Sequence, residues 1–125
     1  MKTAGMDQRV RGTYLIVSDD YLVAQDLAES IVWFDAAASV VVRHAPADAI
    51  AALEAIETVA VAFVGAGPDQ LAASGLKALI GDRGGRVVLM GNLAETNGEA
   101  EGWAVLHRPF SLGLVLTHLD GSAAN

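Results

Sequence analysis

The 125-residue sequence contains no cysteine, which excludes disulfides and thiolate metal sites. Long hydrophobic runs are also missing, because Asp, Glu, Arg or Gly interrupts each run before the roughly 20 apolar residues that a membrane-spanning helix needs. Positive charge is scarce: 8 Lys and Arg stand against 15 Asp and Glu, for a formal net charge of −7. Because this charge repels a phosphate backbone, we expect no direct nucleic-acid binding. Because the long hydrophobic runs are missing, we also expect no membrane insertion.

The amino terminus lacks the apolar stretch of an export signal, since residues 1–12 are polar and interrupted by charge. We therefore expect a cytoplasmic protein. A hydrophobic content of 53% is sufficient for one continuous core in a chain of this length. The sequence predicts one domain over residues 13–120, with residues 1–12 and 121–125 as flexible ends.

The sequence alternates between short strand-like and longer helix-like segments. Runs rich in β-branched or aromatic residues, as in strands covered on both faces, lie at 14–17, 39–42, 59–64, 87–90 and 103–106. Apolar residues recur at helical spacing over 22–34, 50–56, 71–80 and 112–119, and a truncated fourth helix is expected within 93–101. Such alternation predicts an α/β fold, a doubly wound five-stranded parallel sheet with helices on both faces.

Three stretches of the sequence are more specific. Residues 14–20 (YLIVSDD) form a predicted buried strand that runs into carboxylates, residues 64–68 (VGAGP) follow a later strand and end in proline, and residues 106–110 read LHRPF. In this order they resemble the first strand and acid cluster, the acceptor loop and the Lys-Pro-Phe signature of response-regulator receiver domains. The resemblance implies a CheY-like, flavodoxin-like sheet with strand order 2-1-3-4-5 and a role in two-component signalling.

The resemblance also assigns the family's functional positions to residues of this chain. Its two cation-binding acids correspond to Ser18 and Asp19, with Asp20 in the next position. Its hydroxyl residue after the fourth strand corresponds to Gly91, and its lysine corresponds to Arg108. Ser18 therefore replaces an acid, Gly91 replaces the hydroxyl residue, and Arg108 replaces the lysine.

The phosphoacceptor aspartate of the family corresponds to Val64. Shifting the alignment by one residue in either direction gives Phe63 or Gly65, and none of these side chains forms an acyl phosphate. Phosphoryl transfer to an aspartate requires a carboxylate nucleophile, a divalent cation and a fixed positive charge. The sequence therefore predicts a degenerate phosphorylation pocket.

Several roles are open for the remaining acids of this pocket. Asp19 and Asp20 cap the first helix in one interpretation and are weak candidates for a residual cation in another. In a third, Arg108 forms a bidentate ion pair with Asp19 that plugs the former active site. We expect no metal and no cofactor, because magnesium prefers more oxygen ligands than two adjacent carboxylates supply.

Taken with the missing acceptor, the resemblance predicts a pseudo-receiver that is not an enzyme and acts through phosphorylation-independent protein contacts. The expected partner is a kinase, an output domain or a second copy of the chain in a homodimer. The alternative is a small-molecule sensor that binds at the carboxyl ends of the strands, where doubly wound sheets place ligands. Phosphorylation of another acid such as Asp69 is disfavoured, because it follows Pro68 at a predicted helix start.

Overall fold

The computed structural model describes residues 12–108 and 110–119. The predicted flexible ends lie outside these residues except for Gly12, as do Pro109 of the LHRPF stretch and residue 120 at the end of the predicted domain.

Five short strands in the described part of the chain form one parallel sheet. They are β1 (Thr13–Val17), β2 (Ser39–Arg43), β3 (Val61–Gly65), β4 (Arg86–Met90) and β5 (Ala104–Val105). Their order is β2-β1-β3-β4-β5, which confirms the predicted topology. Val17 lies opposite Val64, and Val64 lies opposite Leu89, so the carboxyl ends of the three central strands meet at one edge.

Helices cover both faces of the sheet. They are α1 (Tyr21–Phe34), α2 (Pro46–Leu53), α3 (Pro68–Ser74), α4 (Leu76–Asp82) and α5 (Leu112–Leu119). The expectation of one helix over residues 71–80 is wrong, because Gly75 lies between α3 and α4 with φ 76°, in the left-handed region. A left-handed residue interrupts an α-helix, and glycine adopts this conformation at the lowest cost.

The connection between β4 and β5 is short, and only Asn92 and Leu93 in it are α-helical. A π-helical turn covers Ala94–Gly98 and a 3₁₀ turn covers Glu99–Glu101. The truncation of this segment agrees with the prediction, but its hydrogen-bond pattern differs from that of the expected α-helix. Gly98 permits close packing here, because a Cβ at this position would lie 2.7 Å from Cγ2 of Val105.

The core has two layers, one on each face of the sheet. Leu15 and Val17 pack toward α2, α3 and α4, whereas Tyr14 and Ile16 pack toward α1 and α5. Because successive strand residues point to opposite faces, burial of both faces requires continuous apolar runs. None of the described helices is long and apolar enough to cross a membrane.

Candidate functional site

A cleft of about 150 Å³ lies at the carboxyl ends of β1, β3 and β4. Its lining residues include five predicted positions: Ser18, Asp19, Asp20, Gly91 and Arg108. The parallel register brings them together, since β1 and β4 flank β3 and end beside it. The structure thus brings most of the predicted pocket residues together in one cleft.

Asp20 is the N-cap of α1. Its Oδ1 accepts hydrogen bonds from the backbone N–H groups of Leu22 (3.1 Å) and Val23 (3.2 Å). An N-cap carboxylate satisfies free amides at the helix start and complements the helix dipole. The predicted capping role is confirmed for Asp20, and one oxygen of this side chain is therefore already engaged.

Ser18 fixes the backbone between β1 and α1. Its Oγ accepts a hydrogen bond from the backbone N–H of Asp20 at 3.1 Å, and its carbonyl oxygen lies 3.0 Å from Nδ1 of His44. The residue is buried. The hydroxyl therefore acts as a local turn stabiliser and positions the adjacent acids.

Val64 does not line the cleft. Its side chain is 0% exposed and belongs to the core layer that packs on α2, α3 and α4. Gly65, the next residue, lies at the rim beside Ser18 and Met90. The placement of Val64 in the pocket is thus corrected, because side chains alternate along a strand and Val64 points into the core.

Gly91 follows β4 with φ 102° and contributes only backbone to the cleft. Its carbonyl oxygen accepts a hydrogen bond from the backbone N–H of Glu95 at 2.9 Å, which closes one α-helical turn where the π-helical turn begins. The position therefore shapes the β4–β5 connection and offers no hydroxyl to a ligand.

Arg108 is bound to Glu95 of the β4–β5 connection, so the predicted Arg108–Asp19 ion pair is wrong. Nε of Arg108 lies 2.9 Å from Oε2 of Glu95, and the backbone N–H of Arg108 donates to the same oxygen at 3.0 Å. Nη2 of Arg108 also donates to Oδ1 of Asn92. The hydrogen bond from Arg108 lowers the pKa of the Glu95 carboxyl. Arg108 thus joins the end of β5 to the segment after β4.

Sequence reasoning missed Glu95 and Asn92 as partners of Arg108. Glu95 lies within residues 93–101, where a short α-helix was expected, and Asn92 lies just before them; the resemblance assigns no function to either position. The available signal was the excess of acids between Glu95 and Glu101, a few residues before Arg108.

The site residues do not fit magnesium, which the receiver resemblance implies. Asp19 and Asp20 are the carboxylates that line the cleft, and Asp20 is engaged as a helix cap. Within residues 12–108 and 110–119, no three His, Cys, Asp or Glu side chains are grouped so that they could hold a metal ion. Two adjacent carboxylates, one of them engaged in capping, would leave a bound magnesium ion mostly with water ligands, which makes this edge a poor site for it.

No family model matches the sequence, and no curated protein matches it. Solved structures do. The chain is similar to the chemotaxis response regulator CheY4 of Vibrio cholerae, with a TM-score of 0.65 and 17% identity over 88% of this chain and 97% of that one. It is also similar to a response regulator receiver protein from Sinorhizobium medicae, with a TM-score of 0.65 and 19% identity over 92% and 98% of the two chains. The fold is therefore the CheY-like receiver fold.

Proposed function

We propose that this chain is a receiver-type signalling domain that acts through protein contacts, without phosphorylation on an aspartate and without catalysing a reaction. The main support is the end of β3: Val64 is buried in the core, and Gly65 at the rim has no side chain. A phosphoryl group has no carboxylate nucleophile at this position.

The neighbouring contacts support the same proposal. Arg108, the fixed positive charge of the cleft, is hydrogen bonded to Glu95 and Asn92. Asp20 is engaged in capping α1. Asp69, the alternative acceptor, lies in the first turn of α3 and does not line the cleft.

A surface formed by α1 and the start of α5 is the candidate for partner binding. We call it the α1–α5 face and define it by Asp26, Glu29, Trp33, Phe110 and Leu112, which line a shallow cavity of about 290 Å³. Trp33 is 69% exposed, and Leu112 is exposed as well. Exposed tryptophan beside other apolar side chains is typical of residues that contribute most to protein–protein binding.

The charge of this face indicates the chemistry of its partner. Asp26 and Glu29 are acidic, and α1 contains no Lys or Arg. Two copies of the same acidic face repel each other when they pair. We therefore propose a different protein chain, with basic and apolar side chains, as the principal partner, in preference to the homodimer.

The depressions at the carboxyl ends of the strands are small for the alternative function, a small-molecule sensor. The cleft at Asp19 measures about 150 Å³, and an adjacent depression lined by Gly67, Gln70 and Leu93 measures about 280 Å³. Ligand pockets usually occupy about 300–1,000 Å³. The larger of the two also has only Gln70 and Asn92 as polar side chains in its lining.

Incubation with magnesium and a small-molecule phosphodonor such as acetyl phosphate, followed by intact-mass measurement, tests the proposal. We expect no phosphorylated species. A receiver with an intact acceptor, treated in parallel, shows that the donor is active. Phosphorylation of this chain mapped to Asp19, Asp20 or Asp69 would contradict the proposal.

A further inference from the structure

The short β5 strand leaves a groove at the edge of the sheet. β4 pairs with β3 along all five residues, but β5 pairs only with Val88 and Leu89 of β4. The first residues of β4, Arg86 and Val87, therefore have no strand beside them on the β5 side. The resulting groove measures about 480 Å³, well within the size range of small-molecule sites and larger than either depression at the carboxyl ends.

Basic groups from three separate elements converge on this groove. Lys77 of α4, Arg86 of β4 and His118 of α5 line it, against one acid, Glu101. With His118 neutral, Lys77 and Arg86 outweigh Glu101 and give the lining a net charge of +1, in a chain with a net charge of −7. Among the described residues, neither Lys77 nor Arg86 forms a salt bridge. Burial lowers the pKa of His118, so its imidazole is neutral near pH 7 and offers a hydrogen bond instead of a charge.

Part of the groove wall is apolar. Nζ of Lys77 lies 5.0 Å from the centroid of the Trp103 ring, so the indole holds the ammonium group at the groove. Trp103 is itself half-buried and packs against the core layer below α4. Val87 and Ala104 add further apolar surface. An aromatic or heteroaromatic ring is the ligand group that fits beside an indole.

Gly81 in α4 provides an independent indication. It lines the groove, has no positive φ, and a Cβ built on it meets no atom within 4 Å. Neither backbone conformation nor packing therefore requires glycine at this position. A helical glycine costs about 1 kcal/mol relative to alanine, so its presence is unfavourable for α4 alone. The missing side chain keeps the groove open.

From these features we propose that the groove between α4, β4, β5 and α5 is a binding site for a small organic anion with a flat ring, of the size of a nucleoside monophosphate. Lys77 and Arg86 bind the anionic group, and the ring lies against Trp103 and the glycine-lined wall. This site is at the opposite end of β4 from the Asp19 cleft and is independent of the function proposed above.

The two tryptophans allow a direct test by NMR. Adenosine monophosphate is titrated into the ¹⁵N-labelled protein, and the indole N–H signals of Trp103 in the groove and Trp33 on α1 are followed. We expect a saturable shift of the Trp103 indole and of the amides of Arg86 to Val88, with the Trp33 indole unchanged. Adenosine and inorganic phosphate serve as separate probes, and each is expected to bind at least about tenfold more weakly than the monophosphate, because each lacks one of the two contacts.

Three variants locate the site. Gly81→Leu fills the groove, and Arg86→Gln removes a charge-assisted contact; each is expected to raise the dissociation constant at least about tenfold. Arg43→Gln at the opposite sheet edge makes the same charge change outside the groove and is expected to leave binding unchanged. Since Gly81 borders open space, the Gly81→Leu variant keeps the fold, which its amide spectrum verifies.

The proposal is overturned if no probe shifts the Trp103 indole saturably, or if the shifts instead map to Asp19, Gly91 and Arg108. Equal binding of the monophosphate, adenosine and phosphate would also overturn it, because the site would then distinguish neither charge nor ring. Unchanged affinity in both Gly81→Leu and Arg86→Gln would place the ligand elsewhere.

Discussion

At the scale of single residues, the chemistry available at the end of β3 depends on which of two adjacent residues, Val64 or Gly65, faces the cleft. Val64 is buried among the core side chains, and Gly65 lies at the rim. The motif located this strand end correctly. It did not determine which residue faces the cleft, because a shift of one residue reverses the side-chain direction along a strand. The register observed with β1 and β4 decides it.

Aspartate at these two positions is expected to have different effects on stability. Val64→Asp places a carboxyl group in the core and should lower the free energy of unfolding by about 3–5 kcal/mol. The folded state must then either bury a charge or protonate the carboxyl group, and both cost free energy. Gly65→Asp should cost no more than about 2 kcal/mol, since its carboxylate reaches solvent at the cleft. Its Cβ would lie 3.2 Å from the carbonyl oxygen of Val17, a contact that small backbone shifts relieve. Urea unfolding of both variants measures the difference, and equal losses would contradict the assigned directions.

The contact between Glu95 and Arg108 makes stability depend on pH. The pKa of Glu95 is lower in the folded protein than in the unfolded chain, chiefly because of the hydrogen bond from Arg108. Its contribution is therefore present above the unfolded pKa of a glutamate, about 4.3, and is lost as the pH falls through the folded value. We expect Glu95→Gln to lower the melting temperature at pH 7 and to match the wild type at acidic pH below that folded value.

Glu57→Gln is the control for this pH effect, because Glu57 is exposed and its side chain forms no hydrogen bond with any described residue. It should leave the melting temperature unchanged across the same pH range. A Glu95→Gln effect that persists undiminished at low pH would show that the carboxylate charge is not the source of the stabilisation.

At the scale of elements, hydrophobic patterning predicted the strands and their order better than it predicted the helices. β-branched runs located all five strands to within a few residues, because burial on both faces requires them. The pattern over residues 71–80 did not reveal the break at Gly75, since apolar spacing continues across it. The partner of Arg108 was missed because the π-helical turn that presents Glu95 has no clear sequence signature.

Two glycine-to-alanine substitutions, one just before α4 and one within it, separate the effect of backbone strain from that of helix propensity. Gly75→Ala places a Cβ at φ 76° and should destabilise the protein by about 1–2 kcal/mol, although no neighbouring atom obstructs it. Gly81→Ala, at ordinary helical geometry in α4, should stabilise the protein by about 0.5–1 kcal/mol. Thermal unfolding of both variants measures the opposite signs. The same sign for both would contradict the described break between α3 and α4.

At the scale of the whole molecule, the chain combines the receiver fold with an altered strand-end cleft and an apolar, acidic α1–α5 face. The fold places the three central strand ends together, as it does in any sheet of this order. The side chains at those ends differ here from those of the receiver family. We therefore expect function at the helical surfaces and not in the cleft. The cytoplasmic location and the partner class remain predictions.

The α1–α5 face is expected to determine which proteins the chain binds. Trp33→Ser should reduce recovery of specifically bound proteins from a lysate of the native cell at least about tenfold, because a central tryptophan commonly contributes 2 kcal/mol or more. Leu93→Ser is the matched control, since Leu93 is 60% exposed but lies in the β4–β5 connection. Quantitative mass spectrometry at two salt concentrations should also show release by salt, as expected for an acidic face. An unchanged set of bound proteins with Trp33→Ser would exclude this face.

We expect the strand-end cleft not to accept a phosphoryl group, and one measurement tests this expectation most directly. Amide NMR spectra are recorded while magnesium and beryllofluoride, a mimic of the bound phosphoryl group, are added together. The structure predicts no saturable shift at Ser18, Asp19, Gly65, Gly91 or Arg108, because β3 ends in the buried Val64 and the side-chain-free Gly65. Coordinated, saturable shifts of these amides would contradict the claim and show a competent phosphorylation site.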